Sequence, residues 1–425
     1  MWPDNKCENL TGKHLRILKN GPLYGSCDIS TSKNAILPII AASLLTKERV
    51  IIRNVPKISD VSDMIELLGA YGAEVKLDGN TLYIRAQNIV TTTTDESMAG
   101  RLRASFLFMG PLLAREGCVT MPMPGGCRIG LRPIDLHLKG LTALGAATLK
   151  SSGHVRTWAK KLSGTTILLD YPSVGATENI VMAACLAEGR TIVRGAAAEP
   201  EVIDLIAFLN SMGADIKSDN LRITIEGKKE LHGTDYTPIP DRIEAGTLML
   251  AAAVTGGDVM LGRANIRHLG LVTNKLMEAG AEVFPYPEGV RVRGAGTSPM
   301  DIISSPYPGF PTDMQAQFMA ACCAAKGIST ISETVFENRF LHVGELKKMG
   351  ADIIVDGNKA IVKGTGRLRG AKVSATDLRA GAALCIAALI ADEETVICDI
   401  YHMDRGYDDF AGKLKKLGAN IERVE

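Results

Sequence analysis

One short pattern recurs six times along the chain, and it constrains the fold more than any other feature. A hydrophobic residue followed by Gly-Ala appears as Leu144-Gly145-Ala146, Met212-Gly213-Ala214, Met349-Gly350-Ala351 and Leu417-Gly418-Ala419, with Tyr71-Gly72-Ala73 and Ala279-Gly280-Ala281 as variants. The six glycines, 72, 145, 213, 280, 350 and 418, are separated by 73, 68, 67, 70 and 68 residues. So regular a period marks one structural unit copied six times. Each glycine is predicted to end an amphipathic helix, such as Leu346-Lys347-Lys348-Met349, in the left-handed conformation that glycine adopts without strain. A strand of alternating polarity follows, as in Ala351-Asp352-Ile353-Ile354-Val355, and then a tight turn, Asp78-Gly79-Asn80 or Asp356-Gly357-Asn358.

A second helix is predicted once per unit, over 33–45, 103–115, 176–188, 242–255, 313–326 and 378–391. These segments are apolar over most of their surface, so each is expected to be buried nearly all round. A short strand follows, as in Arg49-Val50-Ile51-Ile52. The unit is therefore strand, helix, strand, helix, strand in some order, a mixed α/β arrangement. Three copies precede Pro238-Ile239-Pro240 and three follow it, which places a domain boundary there. A chain of 425 residues fits such a division.

Composition removes several function classes. With 46% hydrophobic and 22% charged residues the chain is an ordered globular protein. Lys and Arg number 48 and Asp and Glu 47, a balance that argues against a dedicated nucleic-acid binder. The opening Met1-Trp2-Pro3-Asp4-Asn5-Lys6 has no apolar core, so no signal peptide is expected. The apolar run 382–391 falls well short of the roughly 18 residues that read as membrane-spanning. Nine cysteines, several inside apolar runs, suit a reducing cytoplasm and not a disulfide framework. There is no CxxC or HExxH, so no metal site is expected.

Several of the apolar helices open on charged residues. Thr31-Ser32-Lys33-Asn34 starts the first, Arg103 the second, Asp241-Arg242 the fourth, Thr312-Asp313 the fifth and Asp377-Leu378-Arg379 the sixth. Asp313 and Asp377 read equally well as helix caps or as functional carboxylates. Lys33, Arg103 and Arg379 oppose the helix dipole, and a bound anion would account for them. The stretch Met121-Pro122-Met123-Pro124-Gly125-Gly126-Cys127-Arg128-Ile129-Gly130-Leu131-Arg132-Pro133 is too rich in Pro and Gly for helix or strand and is predicted to be a mobile loop. Cys127 is either an incidental surface thiol or, flanked by Arg128 and Arg132, a reactive one. Asp135 and His137, taken alone, read as a cap and a surface histidine.

The motifs Ser32-Lys33-Asn34-Ala35, Leu102-Arg103-Ala104-Ser105, Pro124-Gly125-Gly126-Cys127, Leu131-Arg132-Pro133-Ile134-Asp135-Leu136-His137, Phe310-Pro311-Thr312-Asp313, Glu333-Thr334-Val335-Phe336-Glu337-Asn338-Arg339-Phe340, Thr376-Asp377-Leu378-Arg379-Ala380 and Asp404-Arg405-Gly406-Tyr407 resemble the UDP-N-acetylglucosamine 1-carboxyvinyltransferase family of enolpyruvyl transferases. The resemblance spans the chain beyond a short N-terminal extension. It implies an α/β fold of two inside-out α/β barrels built from six repeated units of about 70 residues. The first three-unit domain would be 33–240, carrying the Cys127 loop, and the second 1–32 with 241–425.

The implied substrates are phosphoenolpyruvate and UDP-N-acetylglucosamine, with no cofactor, nucleic acid or membrane partner. By resemblance Lys33, Arg132 and Arg405 hold phosphate, Arg339 and Arg379 lie near the carboxylate, and Asn34 contacts the same region. Arg103, Arg132, Pro133, Ile134, Asp135, Leu136, Ser173, Val174, Asp313 and Val335 correspond to nucleotide-sugar contacts. Asp313 corresponds to the general base and Cys127 to the general acid. Some family members carry a lysine in the segment where this chain has Tyr171-Pro172-Ser173. The alternatives are transfer to another acceptor, such as shikimate 3-phosphate, or a catalytically silent binding homologue.

Overall fold

A computed structural model of the chain describes residues 12–19, 21–123, 134–151 and 153–424. The chain divides into two compact units. One comprises Ser30–Arg242 with Pro306–Gly309, and the other Met1–Ile29, Ile243–Ser305 and Phe310–Glu425. The sequence places 306–309 with the residues around them. Instead, the Tyr307 amide donates to Glu199 at 3.3 Å and the Arg242 guanidinium lies 5.7 Å from the Tyr307 ring, within the first unit.

In the unit Ser30–Arg242 the helices Lys33–Ala42, Met109–Glu116 and Val174–Ala184 are buried along most of their length. Outer helices Ser59–Ala70, Asp135–Ala143 and Pro200–Ser211 bury one face each. The third copy shows the order most clearly. Strand Thr166–Leu168 leads through its buried helix to strand Arg190–Arg194, which pairs parallel to it. The outer helix follows, and then the hairpin Asp215–Asp219 and Arg222–Glu226, antiparallel to the central strand. The unit thus contains one strand more than the sequence suggests, because the tight turn after the first strand leads into a second, antiparallel one. In the second copy the sheet has three strands, Cys118–Pro122, His154–Trp158 and Ala147–Ser151, and a single parallel bridge from Thr93 to Thr120 stands at the remaining edge.

The other unit repeats the plan. Its buried helices are Arg242–Thr255, Gln315–Cys323 and Leu378–Ile390, and its outer helices Gly270–Glu278, Val343–Lys348 and Phe410–Lys416. All nine residues of Gln315–Cys323 are buried. The N-terminal strands His14–Ile17 and Tyr24–Asp28 complete two of its sheets, the latter pairing parallel to Asp258–Gly262. In both units the apolar helices lie inside and the sheets outside, which is the inside-out α/β barrel expected.

Some boundaries differ from the sequence reading. The segment 103–115 begins as a 3₁₀ helix, Arg103–Phe108, before the α-helix. Lys326 opens a strand, Lys326–Ser332, and does not close a helix. Met121 and Pro122 lie in strand Cys118–Pro122, at a sheet edge where a proline costs no ladder hydrogen bond. Residues 124–133, with Cys127, Arg132 and Pro133, lie outside the described residues.

The repeated glycines behave as one device. All six have φ between 88° and 99°. At each, the alanine that follows donates its amide to a carbonyl five residues back, as Ala73 does to Leu68 and Ala351 to Leu346, both near 3.0–3.2 Å. This closes the last helical turn and aims the chain into the next strand. A Cβ at Gly350 would meet nothing nearer than Arg369 at 4.0 Å, so an alanine there is strained only through its backbone. Gly350→Ala should therefore destabilise by about 1–2 kcal/mol. Gly344→Ala, inside Val343–Lys348 with open space around it, should leave the thermal midpoint unchanged or raised. Melting curves of the two variants against wild type check the contrast.

Candidate active site

In the unit Ser30–Arg242, Lys33 and Asn34 open the buried helix Lys33–Ala42 and are half-buried. Ser32 stands at the cap position without a side-chain cap bond; the Lys33 amide donates instead to Asp241 Oδ2 at 3.2 Å. The Lys33 ammonium meets Asp60 at 2.7 Å, a carboxylate that is 1% exposed. The cation opposing this dipole therefore has a protein anion beside it, which the sequence reading does not foresee. Ser59-Asp60 reads as an ordinary acidic helix start.

Arg103 opens the 3₁₀ turn Arg103–Phe108, Asp135 and Leu136 open Asp135–Ala143 just after Ile134, and Ser173 caps Val174–Ala184 through Ala176. Asn179 ties these elements together. Its amide nitrogen donates to Phe106 O at 3.0 Å and lies 2.9 Å from His137 Nδ1, and its oxygen accepts from the Gly110 amide at 2.7 Å. His137 is not the surface histidine expected. Burial above all, and then the Arg103 charge, lower its pKa to about 4, against the opposing effect of Asp135. It is neutral at pH 7 and packs edge-on to Phe106 at 5.2 Å. Asn179 lies in an apolar run and carries no sequence signal of this role.

In the other unit the structure brings Asp313, Arg339 and Arg379 together. Arg339 Nη2 donates to Asp313 Oδ1 at 2.6 Å and Arg379 Nη2 to Oδ2 at 2.8 Å. The arginine side chains are 6% and 5% exposed and the aspartate 24%. Burial alone would raise the Asp313 pKa. The Arg379 and Arg339 charges, with their hydrogen bonds, overcome it and hold the carboxyl well below its ordinary value. Each guanidinium also faces a ring, Arg339 that of Phe336 at 5.2 Å and Arg379 that of Tyr407 at 5.3 Å. The cap reading holds at only one of the two aspartates. Asp377 is a cap, accepting from the amides of Arg379 and Ala380 at 2.8 and 3.0 Å; Asp313 is not. Arg405 is half-buried just after Tyr401–Asp404, and Val335 donates its amide to Glu333 at 2.8 Å.

Cys127, Arg132 and Pro133 lie outside the described residues, so their geometry does not enter. Burial raises the thiols of Cys27 to about 11 and Cys185 to about 12, and pushes Cys322, Cys323, Cys385 and Cys398 upward as well.

Within the unit that carries Asp313, two buried arginines converge on one partly exposed carboxylate, an arrangement able to hold a small anion. Residues 17–414 match the family described as EPSP synthase (3-phosphoshikimate 1-carboxyvinyltransferase). Known relatives include UDP-N-acetylglucosamine 1-carboxyvinyltransferase 1 of Caldanaerobacter subterraneus subsp. tengcongensis, 53% identical over 95% of this chain and 98% of its own. The corresponding enzyme of Finegoldia magna is 49% identical over 97% and 99%. Among solved structures, the enolpyruvyl transferase NikO from Streptomyces tendae superposes with a TM-score of 0.86 at 26% identity over 97% and 99% of the two chains. EPSP synthase from Acinetobacter baumannii gives 0.76 at 18% over 97% and 100%, a likeness of fold. The chain belongs to this family of enolpyruvyl transferases.

The depressed pKa of Asp313 gives a stability prediction. A carboxyl whose folded pKa lies below its unfolded value near 3.8 stabilises the fold above that value. The contribution is lost as pH falls from there through the depressed folded value. Asp313→Asn should therefore be less stable than wild type across the neutral range, since it leaves two buried arginines without their anion. The gap should narrow only below about pH 4. Unfolding midpoints of both proteins from pH 7 to pH 3 measure it; a gap already closing at pH 6 would contradict the ion-pair account.

Proposed function

We propose that the protein transfers the enolpyruvyl group of phosphoenolpyruvate to the 3′-hydroxyl of UDP-N-acetylglucosamine and releases phosphate. This is the first committed step of peptidoglycan synthesis, carried out in the cytoplasm. The observation that carries the reading is the near-complete, roughly half-identical match to relatives bearing that name, set against 18% identity to EPSP synthases. The acceptor follows the closer likeness.

The reaction is an addition followed by an elimination. The acceptor oxygen bonds to the central carbon of the enolpyruvyl group as its proton passes to Asp313. The methylene carbon takes a proton from Cys127. The methyl group so formed then returns a proton to the Cys127 thiolate, phosphate departs with the electrons of its C–O bond, and the vinyl group is restored. Charge in the transition state is met by fixed cations: Lys33, Arg132 and Arg405 on the phosphate, Arg339 and Arg379 on the carboxylate. Asn34 joins the phosphoenolpyruvate contacts. Arg103, Arg132, Pro133, Ile134, Asp135, Leu136, Ser173, Val174 and Val335 contact the nucleotide sugar.

The clamp on Asp313 bears on this assignment. A carboxylate held far below its ordinary pKa is a weak base. A substrate carboxylate engaging Arg339 and Arg379 competes with Asp313 for the same donors, and its negative charge further favours protonation of Asp313. Basicity then returns when the second substrate is bound.

Phosphate release with phosphoenolpyruvate and either UDP-N-acetylglucosamine or shikimate 3-phosphate tests the reading. Only the nucleotide sugar should support it, and release with shikimate 3-phosphate alone would overturn the acceptor. Asp313→Asn should lower turnover by about two to four powers of ten, the usual contribution of a general base; a turnover within threefold of wild type would remove Asp313 from that role.

Cys127 carries its own prediction. Its neighbours Arg128 and Arg132 favour the thiolate, whereas burial suppresses it at six of the other thiols. A small phosphonate bearing an electrophile should modify Cys127 first among the nine cysteines, and faster with the nucleotide sugar present. Peptide mapping by mass spectrometry reads the site; first modification elsewhere would contradict the assignment.

A further inference from the structure

A buried carboxylate that the proposed chemistry does not use lies behind Arg339. Glu333 is 2% exposed and directly follows strand Lys326–Ser332. Its Oε1 accepts the backbone amides of Val335 at 2.8 Å and Phe336 at 3.1 Å. Its Oε2 accepts the Thr312 hydroxyl at 2.8 Å, and that hydroxyl oxygen accepts Arg339 Nη1, also at 2.8 Å. The direction of this relay is forced. A guanidinium can only donate, so the Thr312 oxygen must receive it and the single hydroxyl hydrogen must point to Glu333. The circuit closes through the Phe336 ring, 5.2 Å from the same guanidinium.

We propose that Glu333 is a positioning residue that holds two substrate-contacting parts of this site in one register: the Val335 segment directly, and Arg339 through Thr312. The inference rests on the enolpyruvyl-transfer reading, in which Val335 meets the nucleotide sugar and Arg339 the phosphoenolpyruvate carboxylate. Arg339 has one nitrogen on Asp313 and one on Thr312. The hydroxyl therefore fixes the plane in which the guanidinium presents itself, and Glu333 fixes the hydroxyl. Thr312 adjoins Asp313 in the chain, so the same bond also steadies the turn Thr312–Met314 that carries the base.

The relay can be cut while the amide arm is kept. Thr312→Val keeps the shape of the side chain and removes the relay while leaving the Val335 and Phe336 amides on Glu333. Glu333→Gln keeps an oxygen for those amides but turns an NH₂ group toward Thr312, whose hydroxyl then faces two donors and no acceptor. In both variants the KM for phosphoenolpyruvate should rise about tenfold, the worth of one hydrogen bond to a charged group. The KM for UDP-N-acetylglucosamine should stay within about twofold, well inside that effect. Thr312→Ser, which keeps the hydroxyl, should leave both constants near wild type, and Glu333→Ala should raise both.

Steady-state phosphate release with each substrate varied in turn gives the constants, and melting curves show that each variant is folded. Equal rises in both constants for Thr312→Val and Glu333→Gln, no rise in either, or a Thr312→Ser variant that behaves like Thr312→Val would overturn the proposal while leaving the reaction assignment intact. Wild-type protein that releases no phosphate would overturn the assignment itself, and the positioning role with it.

Discussion

A helix buried on every side has no polar flank, so the charges associated with it gather at its ends. Residues 379 to 389 of Leu378–Ile390 are all buried, and the same holds along Gln315–Cys323. The backbone satisfies itself inside such a helix but leaves its first amides without partners. Those amides must be met at the helix start, by Asp377 in one case and by the distant Asp241 in another. The sixfold repeat therefore does more than set the architecture. It produces six places where polar chemistry is required, and the candidate residues Lys33, Arg103, Asp313 and Arg379 all stand at such places.

Cations at helix starts run against the dipole, and the structure shows how the fold tolerates them. Lys33 meets Asp60, Arg242 meets Glu201, and Arg379 meets Asp313, each within 3 Å. In each pair the anion comes from another element, so the compensation is tertiary. Removing one member of such a pair would strand the other in a poorly solvated place, which costs far more than the intact pair contributes. A small anion arriving at one of these cations enters as a competitor for a charge already matched, and its effect extends to the carboxylate it displaces.

Much of this was legible in the sequence because it is periodic. The glycines at 72, 145, 213, 280, 350 and 418, their helices and the hairpin turns after them follow from local conformational rules, and the left-handed φ at all six is a local property. The apolar segments announced their burial by lacking a polar face. What escaped was long-range. Asp60 and Asp241 are ordinary helix-start acids until folding places them beside Lys33, 27 and 208 residues away in sequence. Asn179 in an apolar run and His137 near a loop reveal their partnership only when two helices pack. The ambiguity between Asp313 and Asp377 had the same origin: both fit the local cap pattern, and they part only in the folded chain, where Asp377 accepts two helix amides and Asp313 meets Arg339 and Arg379.

Exposure separates two otherwise similar ion pairs. Arg242 and Glu201 form a pair much like Arg379 and Asp313, also at a buried helix start. Arg242 and Glu201 are 9% and 2% exposed. The acids around them are shifted as a closed apolar site requires: burial first, then neighbouring carboxylates, raises Glu178 well above its ordinary value, and burial lifts Asp204 to about 6. Burial thus disfavours the ionised form of Glu178 and Asp204. Asp313 keeps 24% of its side chain exposed and remains ionised, because two arginines outweigh the burial that would neutralise it. The same elementary pairing thus yields a sealed contact in one unit and a partly exposed one in the other. The difference lies in how far solvent reaches the anion.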